Sequence, residues 1–143
     1  MTTVDKLLAI LSQLPSSIPW TETSETVYRV TLMNMPDVDI MEGMQRILMR
    51  CKFRPTPSEV MLNIAIAKYG DAQPHMVTQD ISEAIRTGAD PNKLHPTVVL
   101  VLKKTGGLRA WRVEPPLKGQ QLAEVISEVL LVRLTDYINE QRN

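Results

Sequence analysis

Residues 54–59, with the sequence Arg-Pro-Thr-Pro-Ser-Glu, constrain the fold more than any other stretch of this chain. Thr56 is a preferred N-cap residue, and Pro57 follows at the first helical position, where its missing N–H costs no hydrogen bond. Glu59 stands three residues after the cap, which is the position that completes a capping box. The pattern predicts a turn followed by a helix that begins at Pro57 and ends near Gly70.

Apolar residues recur at helical spacing in most of the remaining chain, and proline or glycine separates the segments. The expected helices are residues 3–14, a short helix capped by Thr23 or Ser24, a helix opened by Asp37, residues 74–87 before Gly88, and residues 117–140. The helix opened by Asp37 is expected to place five side chains on its inner face: Ile40, Met44, Ile47, Leu48 and Cys51. The last segment is apolar on more than one face, so it is either central to the fold or shared with a partner chain.

Local chemistry leaves residues 97–113 open between two structures. Residues 97–102 are rich in β-branched side chains and residues 108–113 alternate, so the Gly-Gly pair between them favours a β-hairpin. The opposing evidence favours a helix. The pair His95-Pro96 before the segment is typical of a helix start, and Gly106 stands where the C-cap glycine of that helix would be. The two structures are evenly supported. If a helix forms, His95 is expected to cap it rather than to bind a metal.

The composition is that of one ordinary domain. The chain has 143 residues, of which 43% are hydrophobic, and this is enough to build a core. It contains no apolar run long enough to span a membrane. The first residues carry an acid at Asp5 and no long apolar stretch, so no secretion signal is expected. We therefore predict a single helical domain over residues 1–143, located in the cytoplasm.

Nothing in the sequence has the pattern of a catalytic or cofactor site. One cysteine and two histidines cannot build a structural zinc site. Cys51 lies on the predicted inner face of a helix, where a free cysteine acts as a small hydrophobic residue. A phosphate-binding loop, a nucleophile elbow and a kinase signature are all missing. We expect a protein that is not an enzyme and that needs no cofactor.

Basic residues and one aromatic residue gather before and within the proline-rich turn: Arg46, Arg50, Lys52, Phe53 and Arg54. One interpretation is an exposed face whose charges are balanced by nearby acids. The others are a surface that contacts phosphates and a surface that docks a partner protein. The 16 basic and 16 acidic residues of the chain cancel, and aromatic residues make up 4%, so non-specific attraction to DNA is weak. We therefore predict that these five residues bind a protein partner.

The order of several short motifs resembles that of a known group. A turn at residues 32–37 (Leu-Met-Asn-Met-Pro-Asp) precedes an amphipathic helix, which leads into residues 52–60 (Lys-Phe-Arg-Pro-Thr-Pro-Ser-Glu-Val). Further along, His-Pro-Thr-Val-Val at 95–99 is followed, after a helix-length interval, by Gly-Gly-Leu at 106–108. Over residues 24–112 this order is similar to that of the phage-type replicative helicase loader/inhibitor group and its prophage relatives.

The resemblance implies an all-helical adaptor that holds a hexameric helicase and delivers it to an initiator, without chemistry of its own. It also favours helix over hairpin in residues 97–113. We predict a compact all-α bundle of about seven helices. The leading function is a DNA-replication accessory protein that binds a replicative helicase as loader or inhibitor. The alternatives are a DNA-binding protein that uses the basic cluster, and a phage-derived structural or regulatory protein that dimerises through its last helix.

Overall fold

The computed structural model describes residues 2–70 and 73–142, and every regular element in these residues is helical. They form a short 3-10 turn at Pro91–Lys93 and eight α-helices: α1 Thr3–Gln13, α2 Glu22–Thr31, α3 Asp37–Arg50, α4 Pro57–Tyr69, α5 Pro74–Thr87, α6 Pro96–Thr105, α7 Gly107–Val113 and α8 Gly119–Arg142. The all-α prediction is confirmed. The described residues hold one helix more than expected, because the stretch from Pro96 to Val113 forms two helices.

The chain divides into two compact units. Of the described residues, the first unit comprises 2–70 and 134–142, with α1 to α4 and the last turns of α8. The second unit comprises 73–133, with α5 to α7 and the first turns of α8. The prediction of one domain over residues 1–143 stays a prediction. In the described part of the chain, no helix is both long enough and apolar enough to cross a membrane.

The start of α4 has the predicted geometry. The Thr56 side chain accepts a hydrogen bond from the Glu59 backbone N–H at 3.2 Å, and the Glu59 carboxylate accepts one from the Thr56 N–H at 3.4 Å. Pro57 occupies the first turn, and α4 ends at Tyr69 before Gly70, whose φ of 83° lies in the region that favours glycine. The capping box, the proline position and the helix end are confirmed.

Replacing Thr56 by alanine is expected to lower the free energy of unfolding by about 0.5–2 kcal/mol, because the Glu59 N–H at the start of α4 loses the hydroxyl that accepts its hydrogen bond. The measurement is chemical denaturation with urea. Ser58→Ala is the matched control, since Ser58 is an exposed neighbour in the same first turn but not the N-cap residue. Equal stability of the Thr56→Ala variant and the wild type would contradict the assignment of this cap.

In the first unit, α3 and α4 form a closely packed helical pair. The buried side of α3 follows Ile40, Gly43 and Ile47, and both isoleucines are fully buried. Gly43 lies directly against Ile64 of α4: a Cβ atom at this position would come within 3.1 Å of the Ile64 Cα atom and closer still to its Cγ1 atom. Glycine is therefore required here by the short distance between the two helices, since its φ is not in the left-handed region.

A buried ion pair also joins α3 to α4. The Lys68 ammonium lies 3.2 Å and 3.3 Å from the two carboxylate oxygens of Asp39, whose side chain is almost wholly buried. The same ammonium lies 4.0 Å from the ring centroid of Tyr137 in the last turns of α8, which is a cation–π distance. Burial by itself lowers the pKa of Lys68, but the hydrogen bond and charge of Asp39 outweigh it, so the pKa of Lys68 lies above its usual value.

Two details of the sequence-based helices are wrong. The N-cap of α2 is Thr21, not Thr23 or Ser24; its side chain accepts from the Ser24 N–H at 3.2 Å, and the Ser24 hydroxyl accepts from the Thr21 N–H in return. Leu48 is exposed rather than inward. Leu48 follows Ile47 by one residue, so it lies about 100° further around the helix. The buried face of α3 is the one that contains Gly43 and contacts α4, and Leu48 does not lie on that face.

In the second unit, residues 97–113 are helical, so the helix alternative is confirmed. The His95 side chain caps α6 by accepting a hydrogen bond from the Thr97 N–H through Nδ1 at 3.3 Å, as expected. Gly106, with a φ of 94°, ends α6. Trp111 of α7 is buried and donates a hydrogen bond from its indole N–H to the Thr105 hydroxyl at 2.8 Å.

The apolar residues of α8 are largely buried within this chain. Six of them are nearly inaccessible to solvent: Leu122, Ile126, Val129, Leu130, Leu134 and Ile138. The burial of these side chains explains why α8 is apolar on more than one face. It corresponds to the first of the two explanations that the sequence left open, which needs no partner chain. Contact with a partner chain through α8 stays a prediction.

Candidate partner-binding surface

The predicted site lies where α3 ends and turns into α4. Arg50 is the last helical residue, and Cys51 caps the helix through a hydrogen bond from its N–H to the Ile47 carbonyl at 2.9 Å. Lys52 and Phe53 come next, and both are exposed, with 69% of Phe53 accessible to solvent. An apolar ring of this size that remains in water is available for contact with another molecule.

Arg54 points back into the fold. Its guanidinium donates hydrogen bonds to three backbone carbonyl oxygens, at 2.8 Å to Leu11, 2.8 Å to Ile18 and 3.4 Å to Ser12. Two of these carbonyls belong to the last turn of α1, where backbone acceptors lack helical partners and a positive charge is favourable. Arg54 thus holds α1 and the segment that follows it to the start of α4.

Aromatic residues of the first unit surround this arginine. The guanidinium carbon lies 5.1 Å from the centroid of the Trp20 ring, and Trp20 stacks on Tyr28 with a centroid distance of 5.6 Å. The Tyr28 hydroxyl donates to the carbonyl of the buried Pro55 at 2.6 Å. Burial raises the pKa of Tyr28, which favours the protonated hydroxyl that donates this hydrogen bond.

The turn formed by residues 51–55 is therefore anchored at both ends. Cys51 is bonded to α3, the Arg54 N–H donates to the Pro15 carbonyl at 2.8 Å, and the Pro55 carbonyl accepts from Tyr28. Only Lys52 and Phe53, between these anchors, project into solvent. A turn held in this way loses little conformational entropy when a partner binds it.

The structure separates the five predicted binding residues into two groups. Arg50, Lys52 and Phe53 are exposed and close together in the chain, whereas Arg46 and Arg54 are half-buried. Beside Arg54 an open cavity of about 340 Å³ has an apolar wall formed by Ile18, Val27, Tyr28 and Pro57. That all five bind a partner stays a prediction, and the exposed three define what we call the 50–53 surface: Arg50, Lys52 and Phe53.

Sequence reasoning missed a second exposed feature on the same helix. Four apolar side chains of α3 lie away from the side that Ile40 and Ile47 bury, and their accessible fractions are 60% for Val38, 47% for Met41, 56% for Leu48 and 85% for Met49. We call them the α3 outer face: Val38, Met41, Leu48 and Met49. The signal was present in the sequence as apolar residues on two sides of one short helix.

The remaining candidates for reactive or metal-binding groups are Cys51 and any cluster of histidine, cysteine and acidic side chains. Cys51 is half-buried, and burial raises the pKa of its thiol, so less of it is thiolate at neutral pH than in a free cysteine. Among the described residues, no group of three or more histidine, cysteine or acidic side chains is placed to hold a metal ion.

Comparison with protein-family models, with curated proteins and with solved structures finds no match for this chain.

Proposed function

We propose that this chain is a non-catalytic adaptor that binds another protein through the 50–53 surface, and that the partner is a replicative helicase which it loads or inhibits. The observation that carries the binding role is Phe53, an exposed aromatic ring between cationic residues on an anchored turn. The motif order that resembles the helicase loader/inhibitor group supports the choice of partner. On this proposal the protein acts in the cytoplasm, where such a helicase works.

The residue types of the 50–53 surface are those that dominate protein interfaces. Aromatic residues, phenylalanine among them, and arginine are enriched at protein interfaces relative to the rest of the surface. Phe53 supplies apolar area at a low cost in side-chain entropy, and Arg50 supplies a donor group that pairs with carboxylates. The anchored turn adds pre-organisation, because Phe53 does not have to be ordered from a mobile loop on binding.

A DNA-binding role has less support from the same residues. Arg54 donates its guanidinium N–H groups to three carbonyls of its own chain, and Arg46 is half-buried. Of the four cations in the cluster, Arg50 and Lys52 are therefore the two that are exposed. Affinity for DNA depends on how many phosphates are neutralised, so two cations provide a small electrostatic contribution.

The test is binding of the purified replicative helicase encoded by the same genome to the dye-labelled protein, followed by fluorescence anisotropy. We expect Phe53→Ala and Arg50→Ala each to weaken binding by about tenfold or more, because each removes an anchor side chain. Val113→Ala is the control, since Val113 is 87% exposed and lies in the second unit. No binding by the wild type would contradict the helicase as partner, and unchanged affinity in both anchor variants would contradict the surface.

A DNA titration separates the two functions. Duplex and single-stranded DNA are titrated at low and moderate salt, with the double variant Arg50→Glu/Lys52→Glu in parallel. Each phosphate contact contributes about 0.9 to the slope of log affinity against log salt. Weak binding without a resolved slope supports the adaptor. Micromolar, salt-sensitive binding that the double variant abolishes would replace the adaptor by a DNA-binding protein.

A further inference from the structure

An open cavity of about 470 Å³ lies beside the turn that joins α2 to α3, and the described residues that line it belong to the first unit. Two of its lining residues are buried, since Leu32 is 1% and Met35 is 7% exposed. Two others lie at its edge in water, since Val30 is 56% and Met33 is 51% exposed. A concave, apolar site of this size is large enough to enclose a bound group.

The turn beside this cavity has a defined backbone. The Met33 N–H donates to the Val30 carbonyl at 3.2 Å, and the Met35 N–H donates to the Leu32 carbonyl at the same distance. Asn34 lies between the two methionines with a φ of 67°, in the left-handed region that asparagine tolerates better than most residues. The methionines themselves have flexible and polarisable side chains, which adapt to the shape of an inserted group.

The charged groups at the cavity are mostly acidic. Arg29 lines the cavity, and its Nη2 atom donates to carboxylate oxygens of Asp5 and Glu25, at 2.9 Å in each case. One guanidinium therefore serves two carboxylates. Asp37 also lines the cavity, is exposed, and has no ion-pair partner in the described part of the chain. Three carboxylates and one guanidinium leave this site negative, which favours a cationic partner and disfavours a phosphate backbone.

We propose that this cavity docks a basic amphipathic segment of a partner protein, which inserts a large apolar side chain beside Met33 and places lysine or arginine next to Asp37. Amphipathic helices bind apolar grooves in this way, with their apolar side inward and their charges at the rim. A second copy of this chain is a poor occupant, because the acidic rims of the two copies would repel each other.

The proposal goes beyond the helicase-binding role and does not rest on it, because none of the three residues of the 50–53 surface lines the cavity. The two surfaces also differ in charge. The 50–53 surface is cationic and favours an acidic partner, whereas the cavity is acidic and favours a basic one.

The test is fluorescence anisotropy of a dye-labelled synthetic peptide titrated with the full chain. In this peptide leucines repeat at helical spacing and lysines fill the opposite side. We expect saturable binding that weakens as salt is added, because salt screens exposed charges. The same peptide with glutamate in place of lysine should bind about tenfold more weakly or less. Absence of saturable binding, or equal binding of the glutamate peptide, would overturn the proposal.

Variants of the protein locate the binding site. Met33→Ala should weaken binding of the lysine peptide by about fivefold or more, because it removes apolar contact at the cavity edge. Asp37→Asn should weaken it by about two- to fivefold through loss of one exposed ion pair. Met76→Ala and Asp80→Asn are the matched controls and should leave the affinity unchanged, because both residues are exposed on α5 in the second unit. Phe53→Ala should also leave it unchanged.

Thermal melting confirms that each variant is folded, and the exposure of Met33 and Asp37 makes a large change in melting temperature unexpected. Binding that neither Met33→Ala nor Asp37→Asn weakens would overturn the cavity as the docking site. Loss of binding in Phe53→Ala would place the peptide on the 50–53 surface instead and would overturn the proposal as well.

Discussion

Replacing Gly43 by alanine is expected to lower the free energy of unfolding by about 2 kcal/mol, even though alanine is the better helix former. The new methyl group would meet Cγ1 of the fully buried Ile64 and would come within 3.1 Å of its Cα atom. Ile64 is β-branched, so its side chain has little freedom to rotate away, and α3 and α4 must move apart. Overpacking of this kind costs about 1–3 kcal/mol or more, and the gain of about 1 kcal/mol in helix propensity offsets only part of it.

Urea denaturation of a double-mutant cycle isolates this contact. Ile64→Ala alone leaves a cavity and is expected to cost about 2–5 kcal/mol. In the Gly43→Ala background the same change should cost at least about 1 kcal/mol less, because the added methyl group partly fills the space and its clash disappears. Strict additivity of the two changes would show that Gly43 and Ile64 do not touch as described.

Replacing Asp39 by alanine is expected to lower the free energy of unfolding by about 2–4 kcal/mol, because it leaves the Lys68 ammonium half-buried without its carboxylate. The side chains of Asp39 and Lys68 are 5% and 21% exposed, so water replaces the lost partner only in part. Tyr137 contributes a cation–π contact that does not neutralise the charge. Asp39 also lies in the first turn of α3, where a negative charge stabilises the helix.

Removal of both charges separates the pair from the helix-end effect. Asp39→Ala/Lys68→Met should be more stable than Asp39→Ala alone, because no unpaired ammonium remains and methionine packs well in irregular space. Glu83→Ala is the comparison, since it breaks an exposed ion pair with Arg86 and is expected to leave stability almost unchanged. If the double variant were no more stable than Asp39→Ala, the buried ion pair would not be the source of the loss.

The pH dependence of this pair follows from the raised pKa of Lys68. In the unfolded chain the ammonium titrates near its usual pKa of 10.5, and in the folded protein Asp39 holds the pKa higher. The stabilisation is therefore fully present below pH 10.5 and is lost as the pH rises through the folded value. In thermal melts over the alkaline range, the difference between the wild type and Asp39→Ala/Lys68→Met should shrink as the pH rises above that point.

Helix ends were predictable from the sequence wherever short-range hydrogen bonds define them. The capping box at Thr56, the α5 end at Gly88 and the His95 cap of α6 all depend on residues within a few positions of one another. The cap of α2 was misplaced by two or three residues because three of the four residues at 21–24 have side chains that can form an N-cap. Only the geometry of Thr21 with Ser24 distinguishes them.

The secondary structure of residues 97–113 could not be predicted from short-range preferences alone. β-Branched side chains favoured strands and the flanking residues favoured a helix, in equal measure. The structure buries Val98, Val101 and Leu102 together, a set that shares one side of a helix but points to both faces of a strand. Burial of this set, with Trp111 bonded to Thr105, decides in favour of two helices.

The sequence located the candidate surface but did not show which of its residues are exposed. The composition of residues 46–54 indicated a binding region, yet only the fold shows that Arg54 serves the carbonyls of α1 while Phe53 remains in water. Those carbonyls come from a segment about forty residues earlier in the chain, so no local pattern contains the contact.

The sequence by itself determined the helical class and most helix boundaries of this protein, because caps, prolines and glycines act through hydrogen bonds and backbone angles within a few residues. The tertiary structure alone decided which side of each helix is buried. In α3 that choice depends on Gly43, whose missing side chain lets Ile64 approach and leaves Leu48 and Met49 in water. Burial depends on which distant segments meet, and that is a property of the whole packed chain rather than of any one stretch of it.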